Sequence, residues 1–192
     1  MPEYRRHRVQ GATYFFTVNL ADRNSRLFIE QIAILRQAVG RVRLLMPFHI
    51  DAWVVLPEHM HCLWTLPEDD GNFPKRWQAI KTAFSRSIPP GEARSTSRHA
   101  RGERGIWQRR YWEHTVRNER DYAAHMDYIH FNPVKHGLAG SAAEWEFSSL
   151  HKCVKQGLYP ADWTSIVDTV ADCGERPCQR AVGCNALRIA PS

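Results

Sequence analysis

Phe48-His-Ile-Asp-Ala-Trp-Val-Val-Leu-Pro-Glu-His-Met-His-Cys-Leu-Trp-Thr-Leu66 decides the fold. Two apolar runs flank Pro57-Glu58, so the stretch reads as a hairpin of strands 48–56 and 59–66. Successive side chains of a strand point to opposite faces. In the second strand Met60, Cys62, Trp64 and Leu66 take one phase; His59, His61, Leu63 and Thr65 take the other. The apolar phase is expected to pack on helices. The two histidines are expected to share the open face of the sheet.

Outward from the hairpin the periodicity alternates between two and three to four. Residues 12–20, rich in β-branched and aromatic side chains after Gly11, predict a first strand. Ile32, Leu35, Val39, Val42 and Met46 mark an amphipathic helix over 29–46, ended by Pro47. Residues 72–87 predict a second helix containing Trp77, Ile80 and Phe84. Residues 89–105 carry four arginines and almost nothing apolar. They read as a flexible loop, either a solvated linker or a phosphate contact. Residues 107–116 predict a fourth strand. Asn118-Glu-Arg-Asp121 resembles a capping box, opening a helix that runs to about Phe131 and is broken by Pro133. A short packed segment over 144–150 and a docked tail over 159–163 follow. From Asp172 the pattern decays, and 172–192 is expected to be disordered.

The order β-α-β-β-α-β-α predicts an α+β fold. It is a ferredoxin-like β-α-β-β-α-β antiparallel sheet with helices on one face and the tyrosine-bearing helix after the fourth strand. Its 192 residues suit one domain, over 3–163, and a tail. A net charge of +6 favours a polyanionic partner. Five cysteines, an odd count without Cys-x-x-Cys spacing, speak against a disulfide framework or a zinc ribbon. Cys62 is expected in the core. With no signal-like leader and no apolar run of membrane length, the reading is a cytoplasmic protein without a membrane partner.

The chemistry gathers at His59, His61, Tyr128 and Asn132. Tyr128 and Asn132 are four apart and share a helix face. If strand and helix meet, two imidazoles, an amide and a phenol surround one point. That set can hold a divalent metal beside a nucleophile, and neutral ligands leave the ion its full charge to polarise a phosphate. The bland alternatives are structural histidines, a core tyrosine and a helix-ending asparagine. Glu58 reads as a turn residue or a partner of the histidines. His125 and His130 read as surface histidines or proton shuttles. A deprotonated phenol can attack phosphorus and conserve the bond energy as a phosphotyrosine.

Four segments in this order carry a family resemblance: 4–20, Val54-Val-Leu-Pro-Glu-His-Met-His61, 105–117 and Asp127-Tyr-Ile-His-Phe-Asn-Pro-Val-Lys-His-Gly-Leu138. The chain resembles the HUH single-tyrosine transposases of the insertion-sequence 200-like kind, and among them the REP-associated tyrosine transposases. The resemblance spans about 3–163. It implies that His59 and His61 are the metal ligands, Asn132 a third ligand and Tyr128 the nucleophile. Related enzymes often have Gln where Asn132 stands. It further implies Mg²⁺ or Mn²⁺ as cofactor and a single-stranded palindrome folded as a hairpin as substrate. Cleavage would pass through a 5′-phosphotyrosine and leave a free 3′-hydroxyl. Arg5, Arg6, Arg8, Arg109 and Arg110 become candidate DNA contacts, and Trp107 or Trp112 candidates for stacking on unpaired bases. The wider superfamily forms dimers that exchange the tyrosine helix, whereas the REP-associated group acts as monomers, so monomer and homodimer both stand. DNA binding implies nucleoid association. Two rivals remain: a domesticated hairpin-binding protein without turnover, and a metal-dependent hydrolase that uses water.

Overall fold

The computed structural model describes residues 8–92 and 94–164. Strand β1 (Thr13–Asn19) leads through the single-turn α1 (Leu27–Glu30) into α2 (Ile32–Leu45). Strands β2 (His49–Val55) and β3 (His59–Thr65) form the predicted antiparallel hairpin. Helix α3 (Phe73–Ser87), the short α4 (Thr96–His99), β4 (Trp112–Thr115) and α5 (Glu119–Lys135) follow. A 3₁₀ turn (Ala142–Glu144) and α6 (Leu150–Lys155) close the described chain. The sheet order β2-β3-β1-β4, all antiparallel, is the ferredoxin-like arrangement expected from the sequence.

One face of the sheet packs on α2 and α3. Tyr14, Phe16, Met60, Cys62 and Trp64 meet Leu35, Val39, Trp77, Ile80 and Phe84 there. Trp64 stacks on Trp77 at 4.3 Å and 16°. Asn72 caps α3 by accepting from Lys75 N–H, a contribution of about 1 kcal/mol. Arg76 is buried but fully engaged. It donates to the carbonyls of Met46, Pro47 and Asn72 and pairs with Asp70 at 2.8 Å.

The opposite face is not open. Helix α5 lies across it, burying Met126, Tyr128 and Ile129 against Phe15, Ala52, Val54 and Leu63. A register shift between Ile50 and Ala52 lets β2 feed both layers. Phe48 and Ile50 face α2 and α3 before it, Trp53 and Val55 after it, and Ala52 and Val54 face α5. At the shift Asp51 accepts from Tyr122 on α5 at 3.1 Å and from Thr65 on β3 at 2.9 Å. The bulge therefore also pins the helix to the sheet.

Three boundaries differ from expectation. Gln31 splits the first helix into α1 and α2. The fourth strand pairs only over Trp112–Thr115; Trp107 contributes an isolated bridge to Leu20. Proline 133 does not end α5. Proline removes one donor, but its φ suits a helix. The chain turns once more before Gly137, at φ +65°, closes it. Leu138 N–H then reaches Pro133 O and Gly137 N–H reaches Val134 O, each at 2.9 Å, which is the Schellman ending. At the other end Asn118 accepts from Asp121 N–H, as the capping pattern predicts.

The segment 89–105 is tied back through Arg104, which ion-pairs with Glu92 at 2.7 Å and donates to the carbonyls of Ser85, Ile88 and Pro89. That guanidinium holds the Glu92 carboxyl down at about 2. The stretch 172–192 lies outside the described residues. Among the described residues no helix is long and apolar enough to cross a membrane.

His130, expected at the surface, is fully buried. Its Nε2 meets Ser149 Oγ at 2.9 Å, and Tyr159 and Trp163 pack edge-on to its ring. The expected tail does dock, with Tyr159 donating to Asp127 at 2.6 Å. Burial pushes the His130 pKa down to about 4, against roughly 6.5 in an unfolded chain. A depressed histidine stabilises the fold above its unfolded pKa and withdraws that support as pH falls toward the folded one. Between pH 7 and 5 wild type should lose about 2 kcal/mol from this residue alone. Urea midpoints at the two pH values, compared between wild type and His130→Gln, read the difference. Equal pH slopes would overturn it.

Candidate active site

His59 and His61 lie on β3, in the middle of the sheet, and face α5. They are 2 % and 0 % exposed. Their rings sit 5.0 Å apart at 83°. His59 Nδ1 meets Glu58 Oε1 at 2.9 Å. Burial would raise the Glu58 carboxyl, but His59 and Arg23, 3.4 Å away, outweigh it and hold it below the usual range. An ionised carboxylate at Nδ1 fixes the proton there and turns a lone pair outward on Nε2. His59 Nε2 is buried and has no hydrogen-bond partner among the described residues. On His61 the Nδ1 lies 3.0 Å from Thr17 Oγ1 on β1. A threonine oxygen can accept from Nδ1–H and select the same tautomer.

Helix α5 brings the other groups. Tyr128 and Asn132 are spaced by four and share its inner face, and His136, the exposed residue that caps the helix, follows four further on. The Tyr128 ring sits 5.2 Å from His61 at 77°, and the His136 ring 5.0 Å from His59 at 66°. Asn132, one turn from each, is 0 % exposed. Its amide nitrogen donates to Tyr128 O at 3.5 Å, which leaves Oδ1 as the acceptor. That oxygen is buried and unpartnered among the described residues. Lys135 Nζ donates to Tyr128 Oη at 3.1 Å and lies 4.6 Å over its ring.

The structure thus gathers His59, His61, Tyr128 and Asn132, places Glu58 beside His59, and adds Thr17, Lys135 and His136. The last two were hidden because Pro133 reads as a helix end. With α5 stopped at Phe131, nothing would place Lys135 beside the tyrosine. The arginines are dispersed. Arg5 and Arg6 lie outside the described residues. Arg8, Arg109 and Arg110 are exposed, and Arg109 pairs with Glu103 at 2.9 Å.

A second polar group, also unforeseen, joins β4 to α5. Asp121 takes His114 Nε2 at 2.8 Å on one carboxylate oxygen and His125 Nδ1 at 3.1 Å on the other. One donor atom of each residue lies within 4.8 Å of the others, within reach of a shared divalent ion. His125, expected at the surface, is buried. Its pKa is lowered by that burial. Phe15 stands between this group and the first, 4.7 Å from the His125 ring and 5.5 Å from that of His61.

No family model matches the chain. Over 176 residues, however, it is 49 % identical to the REP-associated tyrosine transposase of Escherichia coli K12, covering 92 % of this chain and 98 % of that protein. The chain belongs to the REP-associated tyrosine transposases. A Haemophilus influenzae protein, provisionally named as the same kind of transposase, is 42 % identical over 165 residues, or 85 % of this chain and 93 % of that one. A solved structure of the REP-associated tyrosine transposase bound to a REP hairpin superimposes with a TM-score of 0.77. Its sequence identity is 49 %, and the match covers 92 % of this chain and 98 % of that one. In this transposase, then, the antiparallel sheet and the helices packed on it are a family fold.

Proposed function

We propose that this transposase cleaves and rejoins single-stranded DNA beside a REP hairpin, using Tyr128 as a covalent nucleophile. The observation that carries the reading is the Tyr128 hydroxyl under the Lys135 ammonium, with its ring edge-on to His61. The relative solved with a REP hairpin supports the substrate class. The net charge of +6 suits a polyanion.

The two unpartnered buried acceptors, His59 Nε2 and Asn132 Oδ1, fit a divalent metal, with His61 as the third ligand. Such an ion supplies Lewis-acid polarisation of the scissile phosphate, and nitrogen ligands suit Mn²⁺ better than Mg²⁺. Glu58 orients His59, and Thr17 orients His61. Lys135 stabilises negative charge on Tyr128 Oη as the phenol loses its proton to water. The Oη–P bond forms as the P–O3′ bond breaks. The departing O3′ takes up a proton as a 3′-hydroxyl, and the 5′-phosphate stays on the tyrosine. Attack by a DNA 3′-hydroxyl reverses the exchange and rejoins the strands.

Lys135→Met should slow single-turnover cleavage by about 100-fold, the order of loss when one charge-stabilising donor is removed. An unchanged rate would leave Lys135 as packing on the tyrosine ring. The test of the whole reading is a denaturing gel of wild-type protein with a labelled REP hairpin carrying single-stranded flanks, with Mn²⁺ or with EDTA. A protease-sensitive, protein-linked band that requires Mn²⁺ is expected. Tight binding with no cleavage under either condition would overturn the reading and leave a domesticated hairpin-binding protein.

A further inference from the structure

We infer that Trp112 is a stacking platform for an unpaired nucleobase flanking the scissile phosphate. The inference rests on the single-strand reading above and names the subsite that holds the strand. Of the seven tryptophans Trp112 alone is exposed, at 37 %. Trp107, the other candidate by sequence, is packed against Phe28 and Phe84 and donates to Ser85 Oγ at 2.9 Å. Single exposed apolar side chains are common on protein surfaces, so the indole needs a further reason to count as a binding surface.

Its surroundings supply one. Strand β4 is the sheet edge beside β1, and Trp112 points to the α5 face. There it makes an edge contact with Phe15 at 5.6 Å and 70°. Phe15 in turn meets Tyr128 at 5.7 Å and 74°. The exposed indole is thus one ring removed from the nucleophile. A strand whose phosphate reached Tyr128 would carry its neighbouring base past this surface.

The indole is also preset. Its ring lies nearly parallel to that of His114, at 4° and 5.9 Å, and His114 stacks on His125 at 18° and 4.8 Å. Asp121 braces the ladder. Its carboxylate takes both imidazoles and the Arg117 N–H at 2.9 Å, while His125 Nδ1 also reaches Asp121 O at 2.8 Å. Oδ2 accepts from His114 and Arg117, Oδ1 faces His125, and the trio thus serves as a strut. An aromatic face fixed before binding loses little freedom when a base stacks on it, and stacking tolerates any base. Arg110, exposed two residues earlier and without an ion pair among the described residues, offers a phosphate contact beside it.

The test uses full-length protein carrying Tyr128→Phe, so that DNA is bound but not cut. Its ligand is a REP hairpin with 2-aminopurine placed in turn at each flanking position. One position should be quenched on binding. Trp112→Phe should keep most of the quench and affinity. Trp112→Ala should lose the quench and weaken binding by roughly 5- to 150-fold, the range of base–aromatic stacking. Equal quench and affinity in Trp112→Ala would overturn the platform while leaving the proposed function intact. Failure of every protein to bind the flanked hairpin would overturn both.

Discussion

Tyr128→Phe should remove the protein-linked DNA band and lower strand cleavage by on the order of 10⁴-fold or more, with hairpin affinity within about twofold of wild type. The substitution deletes one oxygen. The ring keeps its contacts with Phe15 and His61, and the α5 backbone is untouched. The folding cost is the Lys135 hydrogen bond, about 1 kcal/mol. What is lost is the only protein atom proposed to form a bond to phosphorus. A nuclease using water would behave differently. Its tyrosine would serve as packing, cleavage would persist near the wild-type rate in Tyr128→Phe, and neither protein would trap DNA. Single-turnover assays on denaturing gels separate the two, and persistent cleavage would sink the nucleophile assignment.

The hairpin, α3 and the helix cap at Asn118 were legible because each is a local pattern. Alternation placed Met60, Cys62 and Trp64 opposite His59 and His61, and they lie so. The covered second face was not read, although a signal existed. The unbroken apolar run Trp53–Leu56 is what a strand buried on both faces shows. The histidine phase disguised the burial, because imidazoles look like surface residues until something roofs them. The roof is α5, positioned by Tyr122 on Asp51, a contact across 71 residues that no window reveals.

The candidate site was half legible for the same reason. The histidine pair, Tyr128 and Asn132 follow from periods of two and four. Lys135 and His136 required knowing that Pro133 sits one turn before the helix end, which depends on Gly137 taking a positive φ. His114, Asp121 and His125 are separated by seven and four residues across a strand, a loop and a helix, so no single period joins them. Glu58 reads from sequence as a turn residue or a partner of the histidines. It is in the turn, and its carboxylate also reaches the neighbouring imidazole.

That carboxylate grades the effects expected at the proposed metal site. In His59→Ala/His61→Ala, Mn²⁺ binding read by electron paramagnetic resonance should fall from one equivalent to background. Cleavage should drop by about 1,000-fold or more, since Lewis-acid stabilisation is worth several kcal/mol. Hairpin binding should persist, because its charge term comes from lysines and arginines on the surface. Glu58→Gln should lie between, with Mn²⁺ affinity weakened roughly 10- to 100-fold, the usual consequence of losing a carboxylate behind a ligating imidazole. The ordering is the discriminating part. If His59 and His61 were structural histidines, the double substitution would reduce stability without touching Mn²⁺ affinity. Glu58→Gln would then cost no more than a partly buried hydrogen bond. If Mn²⁺ instead binds at His114, Asp121 and His125, the double variant keeps its resonance signal and His114→Ala loses it. Only the graded loss, with hairpin binding intact, fits an ion that His59, His61 and Asn132 would hold.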